Sequence, residues 1–165
     1  MRIRRANEDD FEGLWPIFQA VVSRADTYVF SPQATRADAF DYWFGPGVVS
    51  FVAEIDGRIA GMYKLIPNQR DLGAHVANAS FMVGADVRGL GVGEALGRHC
   101  LDEARKAGFR AMQFNFVVST NTGAVALWQK LGFKIVGTLP EAFRHGTRGY
   151  VDAYVMHRFL DAAAE

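Results

Sequence analysis

The chain has 165 residues, half of them hydrophobic, with 18 basic and 18 acidic side chains and no formal net charge. That composition supports one domain with a single sizeable core, expected over residues 1–165, and provides no basic field to hold nucleic acid or an anionic membrane surface. No apolar run nears the roughly 18 residues of a membrane span, the N-terminus Met1-Arg2-Ile3-Arg4-Arg5 leads into acids rather than a signal core, and the one cysteine, Cys100, has no partner for an internal disulfide. A cytoplasmic protein acting on small molecules is expected, with Cys100 as inert packing.

In chain order, residues 2–6 suit a short strand. Asn7, followed by Glu8, Asp9 and Asp10, suits the start of a helix to about Ser23, since Asn caps and the carboxylates complement the helix dipole. Phe11, Leu14, Trp15, Phe18, Val21 and Val22 recur at helical spacing, and Pro16 predicts a kink or early break. The loop Arg24 to Pro32 carries Tyr28, Val29 and Phe30 where a plain linker would be polar, so it is expected to line a pocket or cover the core. A second helix runs from Thr35 to about Phe44 and stops at Gly45-Pro46-Gly47. Val48 to Ile55 and Arg58 to Ile66 form a hairpin about Asp56-Gly57, and Val76 to Val83 forms the next strand. A helix over Val92 to Ala107 ends with Arg105, Lys106 and Gly108. A strand at Ala111 to Val118, a helix from Asn121 to Gly132, and strands at Phe133 to Gly137 and Gly149 to Arg158 complete an α/β chain (α+β mixed) of order βααβββαβαββ with mixed pairing.

The most informative stretch follows the strand that ends at Val83. Arg88-Gly89-Leu90-Gly91-Val92-Gly93 places three glycines within five positions at the mouth of a helix. Free N–H groups at the helix start, the macrodipole and Arg88 together make an anion cradle, most naturally for phosphate. A nucleotide P-loop is excluded because Glu94 and Ala95 stand where Lys and Ser/Thr are required. A dinucleotide loop is disfavoured by the G-x-G-x-G spacing and by the absence of an acid in Met112 to Val117.

This segment resembles the acetyl-CoA pyrophosphate loop of GCN5-related N-acetyltransferases, R/Q-x-x-G-x-G/A. Asn121-Thr122-Gly123-Ala124-Val125-Ala126-Leu127-Trp128-Gln129-Lys130-Leu131-Gly132-Phe133 is similar to the family's N-x-x-A-x-x-L-Y-x-x-x-G-F block. The resemblance covers nearly the whole chain. It implies a central mixed, twisted sheet of six or seven strands with about four helices, acetyl-CoA as cosubstrate with no metal, and transfer of the acetyl group to an amine. It further implies that backbone of Phe81, Met82 and Val83 bonds the pantetheine arm between two splayed strands, and that an N–H near Met82 or Val83 polarises the thioester carbonyl. Gly89 to Gly93, Leu90 and Val92 included, would hold the pyrophosphate beside Arg88, and Asn121 and Trp128 would meet the cofactor. Asn121 also reads as a plain helix cap. A homodimer is expected from the resemblance alone.

Two positions depart from the family pattern. Asn78 stands where phosphinothricin-type acetyltransferases, similar here in Thr27 to Phe30 and in the ending Asp152 to Leu160, carry a glutamate base. Trp128 replaces the usual tyrosine or histidine, and an indole donates a hydrogen bond without releasing a proton. This combination resembles the azetidine-2-carboxylate N-acetyltransferases of yeast, which share Pro67-Asn68, His75-Val76-Ala77-Asn78, Phe114-Asn115, Thr120-Asn121 and Leu127-Trp128. The resemblance implies that Asn78 is the catalytic residue at the reacting amine, that Asn115 lies beside a substrate carboxylate, and that Tyr28 and Phe30 complete the acceptor site. A neutral amine would attack directly, oriented by hydrogen bonds. Glu54, His75, His145 and Asp152 are the remaining candidate bases. The expected acceptor is a small amino or imino acid, proline analogues first. The alternatives are a phosphinothricin-like or other small amine, or a non-catalytic acyl-CoA sensor.

Overall fold

The computed structural model describes residues 1–160; residues 161–165 of the expected domain lie outside the described residues. The elements run β1 (Arg2–Arg5), α1 (Phe11–Val22), α2 (Arg36–Phe44), β2 (Val49–Ile55), β3 (Arg58–Pro67), β4 (Val76–Val83), α3 (Val92–Lys106), β5 (Ala111–Val118), α4 (Thr122–Lys130), β6 (Lys134–His145) and β7 (Gly149–Phe159), which is the expected order. The strands form one seven-stranded mixed sheet in the order β1-β2-β3-β4-β5-β7-β6. All neighbours pair antiparallel except β4 and β5, which the α3 crossover makes parallel.

Strand alternation divides the core between the two sheet faces. Val52, Met62 and Met82 meet Leu14 and Phe18 of α1 and Trp43 of α2 on one face. Phe51, Tyr63, Leu65, Ala77 and Ala79 meet Leu96, Cys100 and Leu101 of α3 and Trp128 of α4 on the other. Cys100 is fully buried there and burial pushes its thiol well up, so packing is its role. At the start of α1, Asn7 and Asp10 cap each other's turn while Arg4 grips Asp10 at 2.7 Å and Glu54 at 2.6 Å. That network ties β1 to β2 and holds the Asp10 carboxyl below its ordinary pKa.

Two boundaries differ from expectation. Pro16 does not break α1, because it lies on the exposed side of the helix, while Leu14 and Phe18 are fully buried on the other side. β6 is much longer than the expected Phe133 to Gly137. A register shift between Leu139 and Phe143 absorbs Pro140 and lets Glu141 adopt φ 49°, with its N–H accepted by Asp152 Oδ1 at 2.9 Å. Pro140 is thus housed in an edge-strand bulge.

Candidate active site

The site grows from the one parallel pair. β4 and β5 are in register only at Val76 with Ala111 and Ala77 with Met112, after which they diverge. The open edge of β4 beyond that fork needs partners for its backbone. Tyr28, from the loop between α1 and α2, supplies one: its hydroxyl donates to the Phe81 carbonyl at 2.6 Å and accepts the Phe81 N–H at 3.0 Å. Because N–H directions alternate along a strand, Val83 shares the open edge with Phe81. Met82 directs its N–H toward β3, as Gly84 does to Ala60 at 2.8 Å. Of the three expected backbone contacts, Val83 has its N–H on the open edge, Phe81 is engaged by Tyr28, and Met82 faces away.

Two cavities meet at this fork. The larger, about 820 Å³, runs along α3 and α4 and is bordered by Val83, Arg88, Gly89, Gly91, Val92 and Gly93. Gly91 is the N-cap of α3 at φ 79° with no side-chain cap, and Gly89 sits at φ 81°. Glycine is required at both by conformation. The first N–H groups of α3 are therefore uncapped and open to an anion, with Arg88 beside them. Glu94, the acid in that turn, is drawn aside by Lys130 at 2.6 Å and Arg98 at 2.8 Å. Leu90 points away: it is 68% exposed and borders neither cavity.

The hydroxyls of Thr27 and Thr120 are buried on this groove without a hydrogen-bond partner. Unsatisfied buried hydroxyls beside an uncapped helix start suit a long, polar, anionic ligand such as coenzyme A. Trp128 forms the wall between the cavities, 4.7 Å from the Phe81 ring and 4.8 Å from Phe114. It packs so closely on α3 that a Cβ at Gly97 would meet Trp128 at 3.2 Å and Leu131 at 2.6 Å. Asn121 caps α4 by accepting the Ala124 N–H at 3.3 Å and also borders both cavities.

The smaller cavity, about 210 Å³, lies in the fork between Tyr28, Tyr42, Asn78, Ser80, Asn115 and Trp128. Asn68, just past β3, gathers two of its three asparagines: the Asn68 Oδ1 accepts from Asn115 Nδ2 at 2.7 Å and from Asn78 Nδ2 at 3.2 Å. Gln113 donates to Asn115 Oδ1 at 2.9 Å. Asn78 is left with its Oδ1 as an acceptor for an amine N–H. Burial pushes both phenols, Tyr28 and Tyr42, above their ordinary pKa, so each stays protonated and serves as a donor.

Phe30 does not line this cavity. It packs 5.1 Å from Phe18 and 4.9 Å from Tyr42, and its neighbour Val29 takes the rim position. None of the four candidate bases borders this smaller cavity either. Glu54 is held by Arg4, Asp152 by the Glu141 N–H, and His145 lies on the larger groove. Asn68, Tyr42 and Ser80 were not singled out in sequence as site residues. Only Asn68 gave a signal, as part of a shared Pro-Asn pair.

Residues 11–133 match the family model described as the acetyltransferase (GNAT) family. N-acetyltransferase aca1 of Schizosaccharomyces pombe is 30% identical over 151 residues, 81% of this chain and 72% of that protein. The L-amino acid N-acetyltransferase AaaT of Escherichia coli is 34% identical over 115 residues, 68% of this chain and 69% of its own length. A GCN5-related N-acetyltransferase from Kribbella flavida superposes with a TM-score of 0.90 at 47% identity, over 96% of each chain. On these matches the chain belongs to the GNAT family as an acetyl-CoA-dependent N-acetyltransferase.

Proposed function

We propose that the acceptor is a small amino or imino acid, acetylated on its amine. The observation that carries this is the acceptor cavity itself: about 210 Å³, with no Asp, Glu, Lys, Arg or His on its lining. A polyamine or aminoglycoside calls for several carboxylates, whereas hydroxyls and amides suit one compact, locally neutral or zwitterionic molecule. The similarity to the E. coli L-amino acid N-acetyltransferase supports the same class.

Acetyl-CoA supplies an activated acetyl thioester along the α3 groove. The residues of the chain do the positioning. Asn78 Oδ1 accepts an N–H of the amine and aims its lone pair into the fork, the Val83 N–H faces the open β4 edge where developing negative charge is stabilised, and Tyr28 and Trp128 close the junction to water. No ionisable base borders the cavity, so the amine attacks in its neutral form and its proton leaves to water or to the departing thiolate. A cytoplasmic, homodimeric enzyme is part of the same proposal.

A thiol-release assay over azetidine-2-carboxylate, L-amino acids, phosphinothricin, spermidine and an aminoglycoside tests it. Small amino or imino acids should lead by kcat/KM. A polyamine or aminoglycoside as best acceptor, or acyl-CoA binding with no turnover on any amine, overturns it.

A further inference from the structure

A full positive charge is buried beside the acceptor cavity. Lys64, in the middle of β3, is 7% exposed. Among the described residues no carboxylate pairs with it; its Nζ donates to the Tyr42 carbonyl at 3.1 Å and lies 3.2 Å from the centre of the Tyr42 ring. A buried ammonium with no anion is costly to keep. Burial draws its pKa down to about 8, so it remains mostly protonated at neutral pH.

The charge is coupled to the cavity through two side chains that border it. The Tyr42 hydroxyl donates to Ser80 Oγ at 2.7 Å, and Ser80 is the cross-strand partner of Lys64 in the β3–β4 pair. With its oxygen occupied as an acceptor, the Ser80 hydroxyl has its own proton to give. A cation on the face of the Tyr42 ring makes the phenol a stronger donor, and hydrogen bonds in series polarise one another, so the stack presents a strengthened donor to the cavity. Ser80 stands two residues beyond Asn78 on the same face of β4, about 6.8 Å along the strand. An α-amino acid fits between two hydrogen bonds converging from that spacing.

We propose that Lys64, Tyr42 and Ser80 form a donor stack that reads a carboxylate on the acceptor, Ser80 making the contact and Lys64 acting as a positioning charge behind it. This rests on the amino-acid reading above and assigns the carboxylate to Ser80 on β4 in place of Asn115 on β5. Asn115 is already committed to Asn68 and Gln113.

Matched acceptors test the stack: azetidine-2-carboxylate against its carboxamide, and L-leucine against L-leucinamide, with wild type, Lys64→Met and Ser80→Ala. Comparing the acid-to-amide ratio between variants cancels the intrinsic basicity of each amine. Each substitution should cut that ratio in kcat/KM about tenfold, the loss of a charge-assisted hydrogen bond, by raising KM for the acid. The acetyl-CoA affinity should stay within about twofold and the folded-state circular dichroism should be retained, which shows that the variants fold. The double variant should lose little more than either single one, because the residues act in series. A wild type that prefers the acid, with the ratio retained in both variants, overturns the stack alone. A wild type that acetylates other amines but neither acid overturns the amino-acid reading and the stack with it.

Discussion

At the scale of single residues, the proposed hold on the acceptor depends on the asparagine hub. Asn78 and Asn115 sit on strands that no longer pair at their level, so nothing in the sheet ladder fixes their amides; Asn68 does, by accepting from both. Removing that shared oxygen frees two side chains to rotate, and a small displacement in a site without a base is felt directly in the rate. Asn68→Leu should therefore lower turnover about 10- to 100-fold with acetyl-CoA affinity within about twofold of wild type. Asn68→Asp, which keeps an oxygen for both amides, should recover part of the loss; equal losses in the two variants would sink the hub. In the same assay Asn78→Ala should act mainly on kcat. Asn78 and Asn115 were legible in sequence through the motifs around them. Lys64 was not, because a lysine in an apolar strand reads as a solvated side chain until α2 lays Tyr42 across it. Phe30 was misplaced for a related reason: within an aromatic loop, only packing against Phe18 decides which ring turns inward.

At the scale of elements, the glycine turn and α3 were the most legible part of the chain, because their chemistry is local. Gly91 at φ 79° and an uncapped helix start follow from residue type and spacing without tertiary information. Gly91→Glu places a negative side chain in the cradle and forces an L-residue into the left-handed region, at about 1–2 kcal/mol. Calorimetry should show acetyl-CoA binding weakened at least about tenfold, beyond what a small drop in melting temperature from the backbone term explains. Unchanged affinity would remove the pyrophosphate from this cradle. The direction of the backbone along β4 was not legible. Which of Met82 and Val83 presents its N–H to the fork depends on register with β3, and register is a property of the pair.

At the scale of the whole molecule, the sheet ends on β6, a 12-residue strand with β7 on one side and an open edge on the other. Long apolar edges invite pairing unless they are blunted. Here the bulge at Pro140 and Glu141 blunts only the second half. The first half carries Ile135 at 38%, Val136 at 60% and Leu139 at 38% exposure. A chain with no net charge has no long-range self-repulsion to keep two such edges apart. A second copy meeting this face would cover the apolar half of β6 and leave the fork between β4 and β5 open, since β7 and β6 lie beyond β5 in the sheet order. Size-exclusion chromatography with light scattering at micromolar concentration should therefore give twice the 18.2 kDa chain mass. Val136→Glu, at an exposed position where a carboxylate does not disturb the core, should shift the population to monomer while retaining the folded-state circular dichroism. A wild type that elutes as a monomer at these concentrations rules out the dimer, and a Val136→Glu variant that remains dimeric moves the interface off β6.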